Sequence, residues 1–202
     1  MTGTIEAQAD ALRAAARDHG PASSDFDLNP DTVTPPGRTL RPAGVLVAFR
    51  PSRDGLSLVL TKRSSRLKHH PGQIAFPGGK QEESDADVTA AALREAQEEV
   101  GLDPASVAIM GSLPAHETVT GFLMTPVLGL IDGPFDPVPE PGEVDEVFEV
   151  PFDHVCDPAR YSVQRRRWRG ARRHYYTVPF GPYYIWGATA RILRGLADRV
   201  TP

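Results

Sequence analysis

The spacing of apolar residues divides the chain into a short helical segment, an extended arm and one larger domain. Apolar positions recur at helical spacing over residues 4–18, which predicts an amphipathic helix. Residues 20–42 are rich in Pro, Asp, Ser and Thr and predict an extended arm. The sequence therefore predicts two parts, an N-terminal helix and arm over residues 1–42 and a compact domain over residues 43–202.

Predicted strands and helices alternate irregularly through the larger domain. Residues 44–50 and 56–63 are apolar and β-branched and are separated by PSRDG, which predicts a β-hairpin. A helix is predicted from residue 87 to residue 100, where Gly101 ends it. Further predicted elements are strands within 107–114, 122–131 and 146–151, a charged hairpin over 161–180 and a final helix over 185–200. This order predicts an α/β protein with a mixed sheet and helices on both faces.

Composition indicates an ordinary globular protein. The chain has 202 residues, of which 40% are hydrophobic and 24% charged, and its formal net charge of −4 suggests no general polyanionic partner. Cys156 is the only cysteine, so no intramolecular disulfide is available. The chain does not open with a basic region followed by an apolar run, and its apolar runs are too short to span a bilayer. We therefore expect a cytoplasmic protein without a membrane partner.

Three glutamates crowd one face of the helix predicted in the middle of the chain. Glu98 and Glu99 come three and four residues after Glu95, so all three project from the same face. Like charges at these spacings repel one another. The Gly78–Gly79 pair allows a backbone loop to pass close to the carboxylates and to offer carbonyl oxygens. The arrangement predicts that a cation binds between the carboxylates.

Oxygen ligands of this kind suit a hard divalent cation. Two or three carboxylates favour Mg²⁺ or Mn²⁺, which complete their coordination with water and substrate phosphates. Such an ion neutralises a diphosphate and activates water for in-line attack on phosphorus. An acidic, solvated helix face is the ordinary alternative, and the residues around the glutamates decide between the two.

Those surrounding residues resemble the Nudix box, whose general form is G-x5-E-x7-R-E-U-x-E-E-x-G-U with U apolar. Its fixed positions are matched by Gly79, Arg94, Glu95, Glu98, Glu99, Gly101 and Leu102. The early glutamate is replaced by Asp85, and eight residues instead of seven separate Asp85 from Arg94. Asp85 therefore either takes the place of that glutamate or caps the helix.

The resemblance implies a fold, an activity and a set of site residues. Nudix proteins are α/β/α sandwiches with a mixed sheet, and they hydrolyse nucleoside diphosphates linked to another group with Mg²⁺ or Mn²⁺. Carried onto this chain, the metal ligands are Glu95, Glu98, Glu99 and the backbone of Gly79. Glu98 and Glu99 are also candidate catalytic groups.

The segment before the box narrows the expected substrate. Residues 60–79, LTKRSSRLKHHPGQIAFPGG, resemble the signature L-L-T-x-R-S-x3-R-x3-G-x3-F-P-G-G of the coenzyme A diphosphatase branch. Lys68 stands where the signature has arginine, which keeps the charge but loses the bidentate fork. The basic loop suits the diphosphate and 3′-phosphate of coenzyme A, although a surface loop that balances the acidic box is the alternative. The candidate substrate contacts are Arg63, Ser64, Arg66, Lys68 and Gln73.

A base that activates the attacking water completes the expected site. Glu143 opens a strand after a Pro-rich loop, where an acidic side chain can reach the metal, and it is a catalytic candidate. Its alternative role is only to cap the strand. His116 and Glu117 are alternative bases, and a histidine base would titrate near neutral pH.

Arginines and aromatic residues are mixed over residues 164–176. Alternation along a strand places arginines on the solvent face and aromatic residues against the core, and we favour this structural interpretation over a nucleic acid partner. Binding of single-stranded nucleic acid, or contact of one arginine with the substrate 3′-phosphate, are the alternatives. A homodimer through the N-terminal arm is a further hypothesis, because the sequence shows no other place for its apolar stripe.

Three functions are consistent with these observations. The first is metal-dependent hydrolysis of coenzyme A or its derivatives to 3′,5′-ADP and 4′-phosphopantetheine or acyl-phosphopantetheine. The second is Nudix hydrolysis of another nucleotide, such as NADH, ADP-ribose or a nucleoside triphosphate. The third is a non-catalytic Nudix module that binds RNA through the arginine-rich hairpin. The intact glutamates argue against the third.

Overall fold

A computed structural model describes residues 2–32, 37–168 and 170–201 of the chain. Residues 33–36 of the predicted arm and Arg169 of the predicted hairpin lie outside the described residues. The helices are α1 (Thr2–Arg17), α2 (Val88–Val100), α3 (Phe152–Val155) and α4 (Ala188–Val200). The strands are β1 (Ser23–Ser24), β2 (Arg41–Ser52), β3 (Gly55–Arg63), β4 (Ile74–Ala75), β5 (Gly78–Lys80), β6 (Val107–Ser112), β7 (His116–Glu117), β8 (Phe122–Ile131), β9 (Val144–Pro151), β10 (Ser162–Trp168) and β11 (Ala171–Thr177).

One mixed sheet forms the centre of the fold. Strand β2 runs parallel to β8 and antiparallel to both β3 and β5. Strand β9 extends the sheet beyond β3, while β6 and β7 pair with β8. Strands β10 and β11 form a separate antiparallel hairpin. The predicted mixed sheet is confirmed, and β2 and β3 form the hairpin that the apolar pattern predicts.

Helices cover both faces of this sheet, which confirms the predicted α/β/α sandwich. Along β2, Val45, Val47 and Phe49 belong to the core layer of α1 and α4, whereas Leu46 and Ala48 belong to the layer of α2. Because both faces are buried, β2 is a continuous apolar run and not an alternating one. No helix among the described residues is long and apolar enough to cross a membrane.

Helix α2 packs very close to the sheet. A Cβ on Gly44 of β2 would lie 2.0 Å from the carbonyl oxygen of Val88, so no larger residue fits there. Ala92 and Ala96 present only methyl groups to the sheet and are fully buried. This close approach fixes the polar face of α2, which carries the three glutamates, relative to β5.

The N-terminal helix packs on the same domain. Leu12, Ala15 and Ala16 of α1 are buried in one core cluster with residues of α4 and the sheet. Strand β1 pairs in parallel with β7. The apolar stripe that suggested a dimer therefore packs within its own chain.

Candidate active site

Asp87 caps the helix that carries the glutamates. Its side chain accepts hydrogen bonds from the backbone N–H groups of Thr89 and Ala90. Gly101 ends the helix in the left-handed conformation, with φ of 70°. Asp87 and not Asp85 therefore caps the helix, and the Asp85 carboxylate has another partner.

Arg94 gathers the carboxylates of the box. Its Nε and Nη2 each donate to one carboxylate oxygen of Asp85 at 3.0 Å, which makes a bidentate pair. Its Nη1 lies 3.0 Å from Glu95 Oε1 and 3.0 Å from Glu98 Oε2. The hydrogen bonds with Arg94 lower the pKa of Asp85, and those with Asp85 raise the pKa of Arg94. Asp85 therefore holds the guanidinium that orients Glu95 and Glu98.

Glu99 is the most deeply buried of the three glutamates, with a side chain only 5% exposed. Its Oε2 accepts a hydrogen bond from the Gly78 N–H at 3.2 Å, and its Oε1 lies 3.9 Å from Arg63 Nη1. Burial raises the pKa of Glu99 to about 7, although the Gly78 hydrogen bond and the Arg63 charge oppose the shift. A buried carboxylate with such partial compensation would be stabilised by a nearby cation.

Glu95 lies directly against the glycine loop. A Cβ on Gly79 would lie 2.4 Å from the Glu95 carboxylate carbon, so a larger residue there would displace this carboxylate. Burial raises the pKa of Glu95, Arg94 lowers it, and the negative charges of Glu98 and Glu143 raise it further. The structure therefore brings Gly79 and the carboxylates together, as the sequence predicts.

Glu143 approaches the same carboxylates from the loop before β9. Its charge contributes to the raised pKa of both Glu95 and Glu99. Its backbone carbonyl accepts a hydrogen bond from the Ser64 N–H at 2.7 Å, which joins this loop to the predicted substrate loop. Its side chain is exposed. The fold thus places an accessible carboxylate beside the box.

The donor set fits a hard divalent ion that is completed by its substrate. Among the described residues, no three carboxylate, imidazole or thiolate groups form a ready-made metal cage. Glu95 and Glu98 each give one oxygen to Arg94, and Glu99 gives one to Gly78. An ion of the Mg²⁺ type needs only one or two carboxylates, because water and substrate phosphates supply its other ligands.

The predicted substrate residues upstream of the box differ in their surroundings. Arg66 and Lys68 are exposed and form no ion pair with any described residue. Gln73 is half-buried, and its carbonyl accepts a hydrogen bond from the Arg63 N–H at 2.9 Å. Ser64 is fully buried, and its hydroxyl accepts from the Arg66 N–H at 3.4 Å. Its N–H donates to the Glu143 carbonyl at 2.7 Å, so Ser64 also joins this loop to the segment before β9.

The two alternative bases have structural partners. The Nδ1 of His116 lies 2.9 Å from the Ser23 hydroxyl, and its Nε2 lies 3.2 Å from an Asp25 carboxylate oxygen. Glu117 forms an ion pair with Arg38 at 3.2 Å. These contacts attach the N-terminal segment to the sheet.

Sequence reasoning missed Gly44, which allows α2 to approach the sheet. The signal was present as a single glycine inside an apolar, β-branched strand, a pattern that marks close backbone approach. It also left the role of Asp85 open. The position of Asp85 six residues after Gly79, matching the early glutamate of the box, was the available signal.

Comparison with known proteins gives family matches over most of the chain. The family model described as NUDIX domain matches residues 40–173. A Citrobacter koseri protein named as an uncharacterized Nudix hydrolase, NudL, is 44% identical over 167 residues, which cover 81% of this chain and 86% of that protein. A Salmonella heidelberg protein of the same name is 40% identical over 178 residues, which cover 88% of this chain and 92% of the relative.

The fold also matches a solved Nudix structure. The NUDIX domain of Shewanella oneidensis NrtR, crystallised with ADP ribose, has a TM-score of 0.51 and 14% identity, covering 87% of this chain and 95% of that one. Identity this low shows the shared fold alone. The family model and the curated relatives, together with the carboxylates gathered beside Gly79, establish that the chain belongs to the Nudix hydrolases, metal-dependent enzymes that act on nucleoside diphosphate-linked substrates.

Proposed function

We propose that this Nudix hydrolase cleaves the diphosphate bond of coenzyme A or its derivatives. The products are 3′,5′-ADP and 4′-phosphopantetheine, or acyl-phosphopantetheine from an acylated substrate. One observation carries the proposal. Arg63 belongs to the segment that resembles the coenzyme A diphosphatase signature, and its guanidinium lies 3.9 Å from the Glu99 carboxylate of the box. This contact between one residue of the substrate signature and one candidate metal ligand supports the proposal.

The proposed roles divide the site into three groups. The metal ligands are Glu95, Glu98, Glu99 and the backbone of Gly79. The substrate contacts are Arg63, Arg66, Lys68 and Gln73, with Ser64 holding the loop that carries them. When bound, Mg²⁺ or Mn²⁺ neutralises the diphosphate and activates water.

Proton transfer from the attacking water is assigned to the carboxylates. Glu143 is the proposed base, because its side chain is exposed and lies close enough to Glu95 and Glu99 for their charges to interact. Glu98 and Glu99 remain catalytic candidates beside it.

A cytoplasmic location, a homodimer and a boundary at residue 43 between arm and domain also stay predictions.

Product analysis in ¹⁸O-labelled water tests the function. The chain is incubated with Mg²⁺ or Mn²⁺ and, separately, coenzyme A, NADH, ADP-ribose and dGTP. We expect coenzyme A to give 3′,5′-ADP and 4′-phosphopantetheine, with the label on one phosphate. Glu99→Gln should abolish this cleavage, whereas Glu83→Gln, an exposed glutamate of the preceding loop, should leave it intact.

Each other outcome contradicts a different part of the proposal. Cleavage of NADH, ADP-ribose or dGTP with coenzyme A left intact would assign the enzyme to another Nudix substrate. Equal activity of Glu99→Gln and the unaltered chain would remove Glu99 from the site. Absence of cleavage with both metals would favour a binding module.

A further inference from the structure

The hairpin of β10 and β11 concentrates positive charge. In the register of its strands, Arg166 lies opposite Arg173, and Arg167 lies opposite Arg172. Like charges directly opposite each other destabilise a strand pair. No carboxylate in the described ranges forms an ion pair with Arg165, Arg166, Arg167 or Arg172. An anion from outside the chain would therefore stabilise this surface.

One of these arginines lies over an aromatic ring. The Cζ of Arg166 lies 4.3 Å from the ring centroid of Trp186, and Trp186 meets Tyr175 edge-on at 5.1 Å. The hydroxyls of Tyr175 and Tyr184 lie 3.4 Å apart. We call these four residues the arginine–aromatic platform. Arg166 and Tyr184 are exposed and Trp186 is half-buried, so the platform offers both a π surface and guanidinium donors to a ligand.

The platform adjoins the predicted substrate loop. Gly187 directly follows Trp186, and a Cβ on Gly187 would lie 3.7 Å from Gln73 Nε2. The backbone carbonyl of Gln73 accepts a hydrogen bond from the backbone N–H of Arg63 at 2.9 Å. The Arg63 guanidinium lies 3.9 Å from Glu99. A short series of contacts therefore leads from the platform to the candidate active site.

We propose that the platform binds the nucleoside 3′-phosphate half of the substrate. The base stacks on the exposed aromatic surface, and Arg166 donates hydrogen bonds to the 3′-phosphate. Stacking on aromatic rings and charge-assisted hydrogen bonds from arginine recognise this combination of base and phosphate. The inference rests on the proposed coenzyme A diphosphatase function, because the 3′-phosphate distinguishes coenzyme A from NADH and ADP-ribose.

Single-stranded nucleic acid is the other ligand with this chemistry. It also carries bases that stack and phosphates that pair with arginine. The contacts from Trp186 through Gln73 to Arg63 favour the nucleotide, because they place the platform beside the residues that would hold the diphosphate. Nucleic acid binding is therefore an outcome of the test.

A neighbouring arginine of the same hairpin provides a matched control for Arg166. A cavity of about 500 Å³ opens at its tip and is lined by Arg165, Arg166, Arg167, Gly170 and Arg172. Successive side chains of a strand point to opposite faces, so Arg165 projects away from the face that carries Arg166. Arg165→Ala removes one charge from the hairpin and leaves the platform intact. Arg166→Ala removes one charge from the hairpin and also removes the arginine of the platform.

Calorimetric titration of the full chain with 3′,5′-ADP and with 5′-AMP measures the platform without catalysis. We expect 3′,5′-ADP to bind about tenfold more tightly than 5′-AMP. Arg166→Ala should remove this difference, and Arg165→Ala should preserve it. Tyr184→Ala, at an exposed residue, should weaken both nucleotides by a similar factor, because it removes stacking surface. Thermal melts of the three variants check that each is folded.

Steady-state kinetics provide the second measurement. Arg166→Ala should raise KM for coenzyme A about tenfold while leaving kcat unchanged, and it should leave KM for dephospho-coenzyme A unchanged. Equal losses in Arg165→Ala and Arg166→Ala, or no loss in Arg166→Ala, would overturn the platform. So would tight, steeply salt-dependent binding of a single-stranded RNA that depends on both arginines, combined with no 3′-phosphate preference.

The two proposals fail separately. If the unaltered chain leaves coenzyme A intact but binds 3′,5′-ADP through Arg166, the proposed function is wrong and the platform stands as a nucleotide site. If coenzyme A is cleaved and the Arg166 variant behaves like the Arg165 variant, the function stands and the platform is wrong.

Discussion

At the scale of single residues, burial gives different properties to glutamates of one motif. The Glu98 side chain is 61% exposed and accepts a hydrogen bond from Arg94, whereas the Glu99 side chain is 5% exposed. Desolvation disfavours the charged form of a carboxyl, and it raises the pKa of Glu99 to about 7. Their spacing in the sequence places both residues on one helix face. The burial of each side chain depends on the loop that packs over it, and sequence periodicity does not predict that packing.

The raised pKa of Glu99 makes the stability of the metal-free protein depend on pH. Its folded-state pKa of about 7 exceeds the ordinary 4.5, so the folded protein binds this proton more tightly than the unfolded chain does. The contribution of Glu99 to the free energy of unfolding is therefore present below pH 4.5 and is lost as the pH rises to about 7. The loss is on the order of 3 kcal/mol. We expect this fall in the free energy of unfolding to be absent from Glu99→Gln when urea unfolding is measured with a chelator between pH 4.5 and about 7.

Glu98→Gln is the matched control for this prediction. It also replaces a box glutamate with its amide, but at an exposed position beside Arg94. We expect it to keep the fall in stability with pH. The same fall in Glu99→Gln would show that another group causes it.

At the scale of elements, local signals predicted the central helix and hairpin well. The cap at Asp87 and the glycine at its end confine α2 to Val88–Val100, close to the predicted residues 87–100. The last helix begins at Ala188 and not at 185, because Gly187 takes φ of 68° and interrupts the helical backbone. Strands as short as β1 and β7 carry no periodicity, and only their pairing with distant residues defines them.

Substitutions of the two aspartates before α2 are expected to have different effects. One should lower mainly the stability of the protein, and the other should lower mainly its activity. Asp87→Ala removes the cap and should lower the free energy of unfolding by about 1 kcal/mol while kcat/KM changes little. Asp85→Asn weakens the bidentate pair with Arg94, which positions Glu95 and Glu98. It should lower kcat/KM about tenfold or more and weaken Mn²⁺ binding, because partners that orient metal ligands have effects of this size.

Urea unfolding, Mn²⁺ titration and coenzyme A kinetics on both variants provide the comparison. A loss of kcat/KM without weaker Mn²⁺ binding in Asp85→Asn would contradict a positioning role through the metal ligands. Loss of Mn²⁺ binding in Asp87→Ala would show that the cap also controls the geometry of the site.

At the scale of the whole molecule, long-range contacts attach the N-terminal segment to the sheet. His116 binds Ser23 and Asp25, which lie more than ninety positions earlier in the chain. Leu12 is fully buried in the core that α4 and the sheet share. The amphipathic pattern of α1 could be predicted from the sequence, but its packing partner could not, because the partner is assembled from distant strands. This is why the arm looked like a separate appendage or a dimer contact.

Leu12→Ala tests whether α1 is part of the core. Removing a fully buried leucine side chain leaves a cavity, so we expect the free energy of unfolding to fall by about 2–5 kcal/mol. Arg13→Ala is the neighbouring control, because the Arg13 side chain is 46% exposed and its ion-pair partner among the described residues is Asp10 of the same helix. It should change stability little. Equal, small effects of the two variants would mean that α1 is a dispensable arm. Light scattering on the same samples gives the mass, and a change from dimer to monomer in Leu12→Ala alone would restore the hypothesis of a dimer through this helix.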